Sequence, residues 1–161
     1  MENLKLTRID FRLIHGQVMT RWVKQFNIET IMVIDDKSAT SPIMKKILLG
    51  AAPHGVKVEI ETCDNAAKRW NEGNMPTNNL MLLFKTPAYA AKAYAAGVKY
   101  PSLQVGGIEG AGNKVNICRN IVMSKEDVEA LRPVYEAGVN VYCQPIPEDA
   151  EYPFKSAMEK F

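Results

Sequence analysis

Short apolar runs alternate with amphipathic stretches along the whole chain. Seven runs read as strands: Leu4–Ile9, Thr30–Ile34, Val56–Ile60, Leu80–Phe84, Ser102–Val105, Val115–Met123 and Val139–Gln144. Thr30–Ile34 and Leu80–Phe84 are continuous and unpunctuated, as strands covered on both faces of a parallel sheet are. Val56–Ile60 alternates strictly, Val-Lys-Val-Glu-Ile, which predicts an edge position or one wet face. Val115–Met123 divides into two strand-like pieces around Arg119-Asn120.

Helical spacing fills the gaps. Val18, Met19, Trp22, Val23 and Phe26 recur at three- and four-residue intervals and predict a helix over Gly16–Phe26. Ser41-Pro42 supplies an N-cap and a first-turn proline for a second helix running to about Ala51. Asp64–Trp70 is a short third. Pro87–Ala96 is alanine-rich and stops at Gly97, and Ser124-Lys125-Glu126-Asp127 is a capping-box variant opening a helix that ends at Gly138. A last turn or two falls between Pro153 and Phe161. Strand and helix alternating in this way predict an α/β fold: an open, mostly parallel sheet of about seven strands with helices on both faces. The Val115–Met123 region breaks the alternation and predicts an antiparallel strand at one edge. No linker or repeat divides residues 1–161, which read as a single domain.

Composition removes several classes of function. With 47% hydrophobic and 24% charged residues, the chain is an ordinary globule. Its apolar runs are far short of the roughly 20 residues a membrane span needs. Met1-Glu2-Asn3-Leu4-Lys5 has no basic-then-apolar leader pattern, so a cytoplasmic location is expected. Twenty Lys and Arg against eighteen Asp and Glu give a net charge of +2, too balanced for a nucleic-acid binder. Cys63, Cys118 and Cys143 are scattered and form no Cys-x-x-Cys pair; they read as small core residues, with neither disulfide nor structural zinc implied.

In an open parallel sheet, ligands bind beyond the carboxyl ends of the strands. The segments leaving those ends are Arg8–Gln17, Asp35–Ser38, Lys85–Pro87 and Gly106–Gly110, and polar residues gather in them. The first is the densest: Arg8, Asp10, Arg12, His15 and Arg21 fall within fourteen positions, with His15 just ahead of a helix. Guanidinium forks and a helix N-terminus both suit phosphate oxygens, and the histidine could be nucleophile, base or ligand. The same residues could instead pair as a solvated rim. His54, before the third strand, belongs to the opposite edge. No Gly-x-x-x-x-Gly-Lys-Ser/Thr loop exists, and the turn His15–Thr20 lacks the dinucleotide glycines, although Asp35 lies where a ribose-binding acid would sit. The Gly106–Gly112 stretch reads as a turn whose backbone either lines the site or only re-aims the chain.

The segment Arg8-Ile9-Asp10-Phe11-Arg12-Leu13-Ile14-His15-Gly16-Gln17-Val18 closely resembles a family signature: Arg-Ile-Asp-x-Arg-Leu-Ile-His-Gly-Gln-Val, of the IIB subunits of the mannose/sorbose-type sugar phosphotransferase system. Asp35-Asp36, Phe84-Lys85-Thr86-Pro87, Gln104-Val105-Gly106-Gly107 and Ser124–Gly138 resemble later parts of the same pattern. Thr86 and Gln104 stand where the pattern has Asn, and Ile108-Glu109 where it has Met-His. The resemblance implies a phosphocarrier, a protein-Nπ-phosphohistidine–sugar phosphotransferase. His15 would take a phosphoryl group on Nδ1 from a IIA protein or domain. It would pass the group to a sugar during uptake through the membrane IIC and IID subunits. Arg8 and Arg12 would neutralise phosphate oxygens and Asp10 would orient them or the imidazole. Gly16, Gln17, Asp35, Lys85, Thr86 and Gly106 would complete the phosphate site. No cofactor or metal is implied. The expected location is the cytoplasm, at the membrane permease, and a homodimer is compatible. Arg8, Arg12, Arg21, Lys37 and Lys85 would form a cationic docking rim. Two other classes stay open: a nucleotide-binding oxidoreductase, and a regulatory paralogue that accepts phosphate and hands it to no sugar.

Overall fold

The computed structural model describes residues 1–110 and 112–161. The side chains of Gln17 and Val18 lie outside the described residues, as does position 111 of the glycine-rich stretch, so the roles expected of Gln17 and Val18 stay expectations. The strands are β1 (Leu4–Asp10), β2 (Thr30–Ile34), β3 (Lys57–Glu61), β4 (Leu80–Phe84), β5 (Ser102–Gly107), β6 (Val115–Cys118), β7 (Ile121–Met123), β8 (Asn140–Cys143) and β9 (Tyr152–Pro153). The helices are α1 (Gly16–Phe26), α2 (Asp36–Ala39), α3 (Pro42–Gly50), α4 (Cys63–Asn71), α5 (Pro87–Ala96), α6 (Lys125–Glu136) and α7 (Phe154–Met158). The main sheet runs β3-β2-β4-β1-β5-β8-β9, parallel except for β9, which pairs antiparallel with β8.

The apolar runs do what their continuity predicts. Successive residues of one strand feed opposite faces. Ile31, Val33, Met81 and Leu83 pack with Trp22 of α1 and Leu48 of α3. Met32, Ile34, Leu82 and Phe84 pack with Ala90, Leu131 and Phe154, from α5, α6 and α7. β3, which alternates, is an edge strand as expected. Capping follows sequence: Thr86 accepts from the Tyr89 amide, and Ser124 and Asp127 form a reciprocal capping box, with Oδ2 of Asp127 2.9 Å from the Ser124 amide.

Two features differ from the sequence reading. The antiparallel edge exists, but Tyr152-Pro153 supplies it; Val115–Met123 forms a separate hairpin of β6 and β7. Two residues carry no periodicity, so β9 leaves no sequence signal, and its proline is tolerated because an edge strand does not need every amide. The hairpin buries Ile117, Ile121 and Met123 on the α4–α7 face rather than extending the sheet. Second, Asp35–Ser38 is not a plain loop. Asp35 caps the single turn of α2, accepting the Ser38 amide at 3.2 Å.

These layers position the site. β1 is central and leads into α1 on one face. Its neighbours β4 and β5 lead to α5 and to the hairpin on the other face. Chains diverging to opposite faces leave a crevice over the carboxyl end of β1, where the first loop lies.

The cysteines occupy three environments. Cys63 and Cys143 are buried, but Cys118 is only partly so, which corrects the reading of all three as core. Burial and the nearby Asp36 push the Cys63 thiol up to about 12. A hydrogen bond with Cys118, then burial, raises Cys143; the same contact lowers Cys118. Thiolate character and access together govern alkylation. Brief iodoacetamide treatment of the native protein at pH 8 is therefore expected to label Cys118 first, read by peptide mass spectrometry. Earlier labelling of Cys63 would contradict this placement.

Candidate functional site

The first loop begins where β1 reaches the end of β5. Asp10 is in register with Gly107, and the Phe11 amide donates to the Gly107 carbonyl at 3.1 Å. The chain then turns sharply. The Leu13 amide donates back to the Asp10 carbonyl at 2.9 Å, and Leu13 adopts φ +59° while its side chain stays buried. A left-handed leucine costs on the order of 1 kcal/mol and persists only where its surroundings fix it. Here the buried side chain anchors the turn, and the carbonyl of Leu13 is delivered to His15, whose Nδ1 lies 2.8 Å away.

Asp10 is the hub. It is wholly buried, and its carboxylate takes five contacts. Oδ1 accepts the Arg12 amide and Arg12 Nε, both at 3.1 Å. Oδ2 accepts Arg8 Nη2 and Arg12 Nη2, both at 3.3 Å, and lies 3.8 Å from His15 Nε2. Two guanidinium charges meet one carboxylate, so the cluster is net positive and suited to an anion. Arg12 presents its Nε–Nη2 edge to Asp10 and remains 45% exposed, leaving Nη1 unused by Asp10.

His15 is the N-cap residue of α1 and is partly exposed. Bonding to the Leu13 carbonyl requires a proton on Nδ1, since a carbonyl only accepts. Among the described residues the buried Nε2 has no hydrogen-bond partner and faces the Asp10 carboxylate beyond bonding distance. Neither ring nitrogen is presented to solvent as a free lone pair in this conformation.

Arg8 is not the rim residue that sequence suggests. It is completely buried, stacked 5.2 Å from the Trp22 ring, and donates to the Gln104 side chain, the Gln144 carbonyl (3.0 Å) and the Pro145 carbonyl (2.9 Å). Burial lowers it to about 10, with Asp10 opposing the shift. A residue so enclosed cannot touch an incoming phosphate or a docking partner; it acts from beneath. Gly106 lines the cleft beside Arg12 with its backbone, and its missing side chain has a second use. It makes room for Arg8, because a Cβ there would fall 2.0 Å from the guanidinium carbon. Asp35 is buried with Oδ2 engaged by Ser38, and Thr86 is a helix cap. Gly16, at φ +45°, lies open at the helix start. Lys37 is exposed and Lys85 half-buried, whereas Arg21 is paired with Glu148, so the expected cationic rim reduces to Arg12, Lys37 and Lys85. His54 is exposed in the loop before β3, at the amino ends of the strands. Gln144, Pro145 and Trp22 join the cluster from up to 137 positions away, and no local pattern marks them.

Phe11 stands between two clefts. One of about 410 Å³ lies beside Arg12, Gly107 and Asn120; the other, of about 260 Å³, beside Lys85, Glu109 and Lys114. Among the described residues no group of three or more His, Cys, Asp or Glu side chains could hold a metal ion. Nor, among the described residues, is any helix long and apolar enough to cross a membrane.

The family model for the sorbose subfamily IIB component of the PTS (phosphotransferase system) matches residues 4–161. The fructose-specific EIIB component of Bacillus subtilis is 30% identical over 154 residues, covering 96% of this chain and 94% of that protein. The mannose-specific EIIAB component of Escherichia coli K12 is 30% identical over 155 residues; these cover 96% of this chain but 48% of that longer protein. Among solved structures, manxB from Thermoanaerobacter tengcongensis superposes with a TM-score of 0.89 at 34% identity, covering 98% and 96% of the two chains.

The Gly106 contact yields a direct test. Gly106→Ala forces a methyl group into the Arg8 guanidinium, which four partners hold in place. Overpacking at such a site is expected to cost about 3 kcal/mol, measured by urea unfolding. A loss below about 0.5 kcal/mol, the scatter of an ordinary surface change, would mean that Arg8 has room to move.

Proposed function

The chain belongs to the sorbose-subfamily IIB components of the sugar phosphotransferase system, and from that premise we propose that it is a phosphocarrier whose acceptor is His15. The whole chain, 1–161, acts as one IIB domain. The observation that carries the reading is the placement of His15 beside a buried carboxylate flanked by two arginines, at the start of a helix.

The acceptor atom is Nδ1. Nε2 is enclosed against the Asp10 carboxylate, where an anionic phosphoryl group would be repelled. Nδ1 must first lose the proton it shares with the Leu13 carbonyl. Moving the proton to Nε2, opposite Asp10, leaves a lone pair on Nδ1, and the ring must turn away from Leu13 to present it. Asp10 thus selects the reacting tautomer. The P–N bond of the donor phosphohistidine breaks as the bond from phosphorus to Nδ1 forms. In the second half, a sugar hydroxyl attacks phosphorus as that P–N bond breaks; the bonding pair returns to Nδ1, and the hydroxyl proton ends on the released imidazole. Charge spreads over the equatorial oxygens in both steps, and Arg12 is the guanidinium able to meet it. Its inner edge holds Asp10 and its outer edge is left for phosphate.

The donor is a IIA protein or domain, and the existence of a fused EIIAB relative supports that pairing. Delivery occurs on the cytoplasmic side, at the IIC and IID subunits. Arg12, Lys37 and Lys85 surround the crevice and would draw an acidic partner surface.

Two experiments test the reading. With phosphoenolpyruvate, the general phosphotransferase proteins and IIA, acid-labile phosphate is expected on Nδ1 of His15 alone, identified by mass spectrometry and long-range proton–nitrogen NMR. Persistence of the label in His15→Ala, for instance on His54, would refute it. Arg12→Lys retains the charge but cannot hold Asp10 and phosphate on two edges. Initial transfer rates from IIA are expected to fall by about two orders of magnitude. Rates within about twofold of the parent would exclude the two-edged role.

A further inference from the structure

The Arg8 guanidinium has its own acceptors, arranged in a line. Arg8 Nη1 donates to Oε1 of Gln104, which is completely buried. Gln104 Nε2 donates to Oε1 of Gln144 at 3.3 Å, and Gln144 Nε2 donates to the Asp149 carbonyl at 2.9 Å. The direction is not free. A guanidinium only donates, so Gln104 must turn its oxygen to Arg8 and its nitrogen to Gln144, and Gln144 must do the same one step on. Every bond runs outward from Arg8, a sense in which each polarises the next. Nη2, the other arm, is left to Asp10 and the Pro145 carbonyl.

We propose that Gln104 is a positioning residue for phosphoryl transfer, acting with Gln144 as a one-way carboxamide relay that aims the Arg8 guanidinium at Asp10. The proposal rests on the reading of His15 as phosphoryl acceptor. Gln104 touches neither His15 nor solvent; it works through Arg8, Asp10 and the tautomer that Asp10 selects. Arg8 Nε has no hydrogen-bond partner, so the guanidinium plane is fixed by its two terminal nitrogens and by the Trp22 face. Without the Gln104 oxygen, Nη1 keeps only the Gln144 carbonyl, and three acceptors in place of four hold the plane, which loosens its aim at Asp10. Gly106, lacking a side chain, offers no wall against that loosening.

The test compares Gln104→Met, close in volume but unable to accept from Arg8, with Gln144→Ala, which keeps the backbone carbonyl and removes the relay. Two readouts are taken: steady-state transfer from phosphorylated IIA, and the nitrogen-15 guanidinium spectrum of Arg8. In the parent, the Arg8 Nη protons should be resolved because rotation is blocked. Gln104→Met is expected to average them and to lower kcat about tenfold, the smaller end of what partners one layer behind a reacting group contribute. KM for IIA should not change, since no partner reaches the site of substitution. Gln144→Ala should lower kcat about threefold. The double variant should be no slower than Gln104→Met, because two links of one chain do not add. Both single variants retaining kcat within about twofold, with Arg8 protons still resolved, would overturn the proposal, as would independent, multiplying losses. If Gln104→Met does not fold, Gln144→Ala decides alone on the same two readouts. A parent that accepts no phosphate from IIA would defeat the phosphocarrier reading, while the Arg8 spectrum would still report on the relay.

Discussion

A carboxylate taken out of water must be matched by positive charge and hydrogen bonds, or it will not stay ionised. Asp10 meets that condition at the centre of this molecule, and its neighbours are arranged around it. Arg8 compensates it from below and Arg12 from the side. Removing one member of such a buried pair leaves the other uncompensated, at about 3–5 kcal/mol. One carboxylate shared by two guanidinium groups also leaves a surplus of positive charge beside His15, which the proposed phosphoryl acceptor requires. On that proposal, fold stability and phosphate chemistry draw on the same ion cluster.

The two arginines show how burial divides labour between like residues. Arg8 is sealed and lowered to about 10, with every contact inside the protein. Arg12, four residues later in the turn that follows β1, is nearly half exposed and keeps part of its guanidinium open. Alternation along β1 puts Arg8 and Asp10 on the same side, and Arg12 joins them because the chain leaves the strand after Asp10 and the turn closed at Leu13 brings it back to the Asp10 carboxylate.

Much of this was legible in the sequence. Continuous apolar runs gave the buried parallel strands, and the Thr86–Pro87 and Ser124–Asp127 signals gave helix starts within a residue. The loop carrying His15 stood out by charge density alone. What was not legible has a common cause: it depends on partners distant in sequence. Arg8 looked like a surface residue until Gln104, Gln144 and Pro145 closed over it. That Gly106 must lack a side chain shows only once Arg8 is seen to fill the space where a Cβ would stand. β9 and α2 were too short to have a period.

Apart from Asp10, the acceptors of Arg8 lie 96 to 137 residues further along the chain. Contacts of such separation form late, because loop closure must be completed before they contribute. During synthesis, β1, α1 and His15 leave the ribosome early, yet residues 144–145 are needed before the arginine beneath Asp10 is fully bonded. A nascent or truncated chain ending before Gln144 would have the histidine but not the electrostatic setting around it. On the proposed reading of His15, phosphate competence waits for the segment after β8, which acts as a completeness check on the first strand.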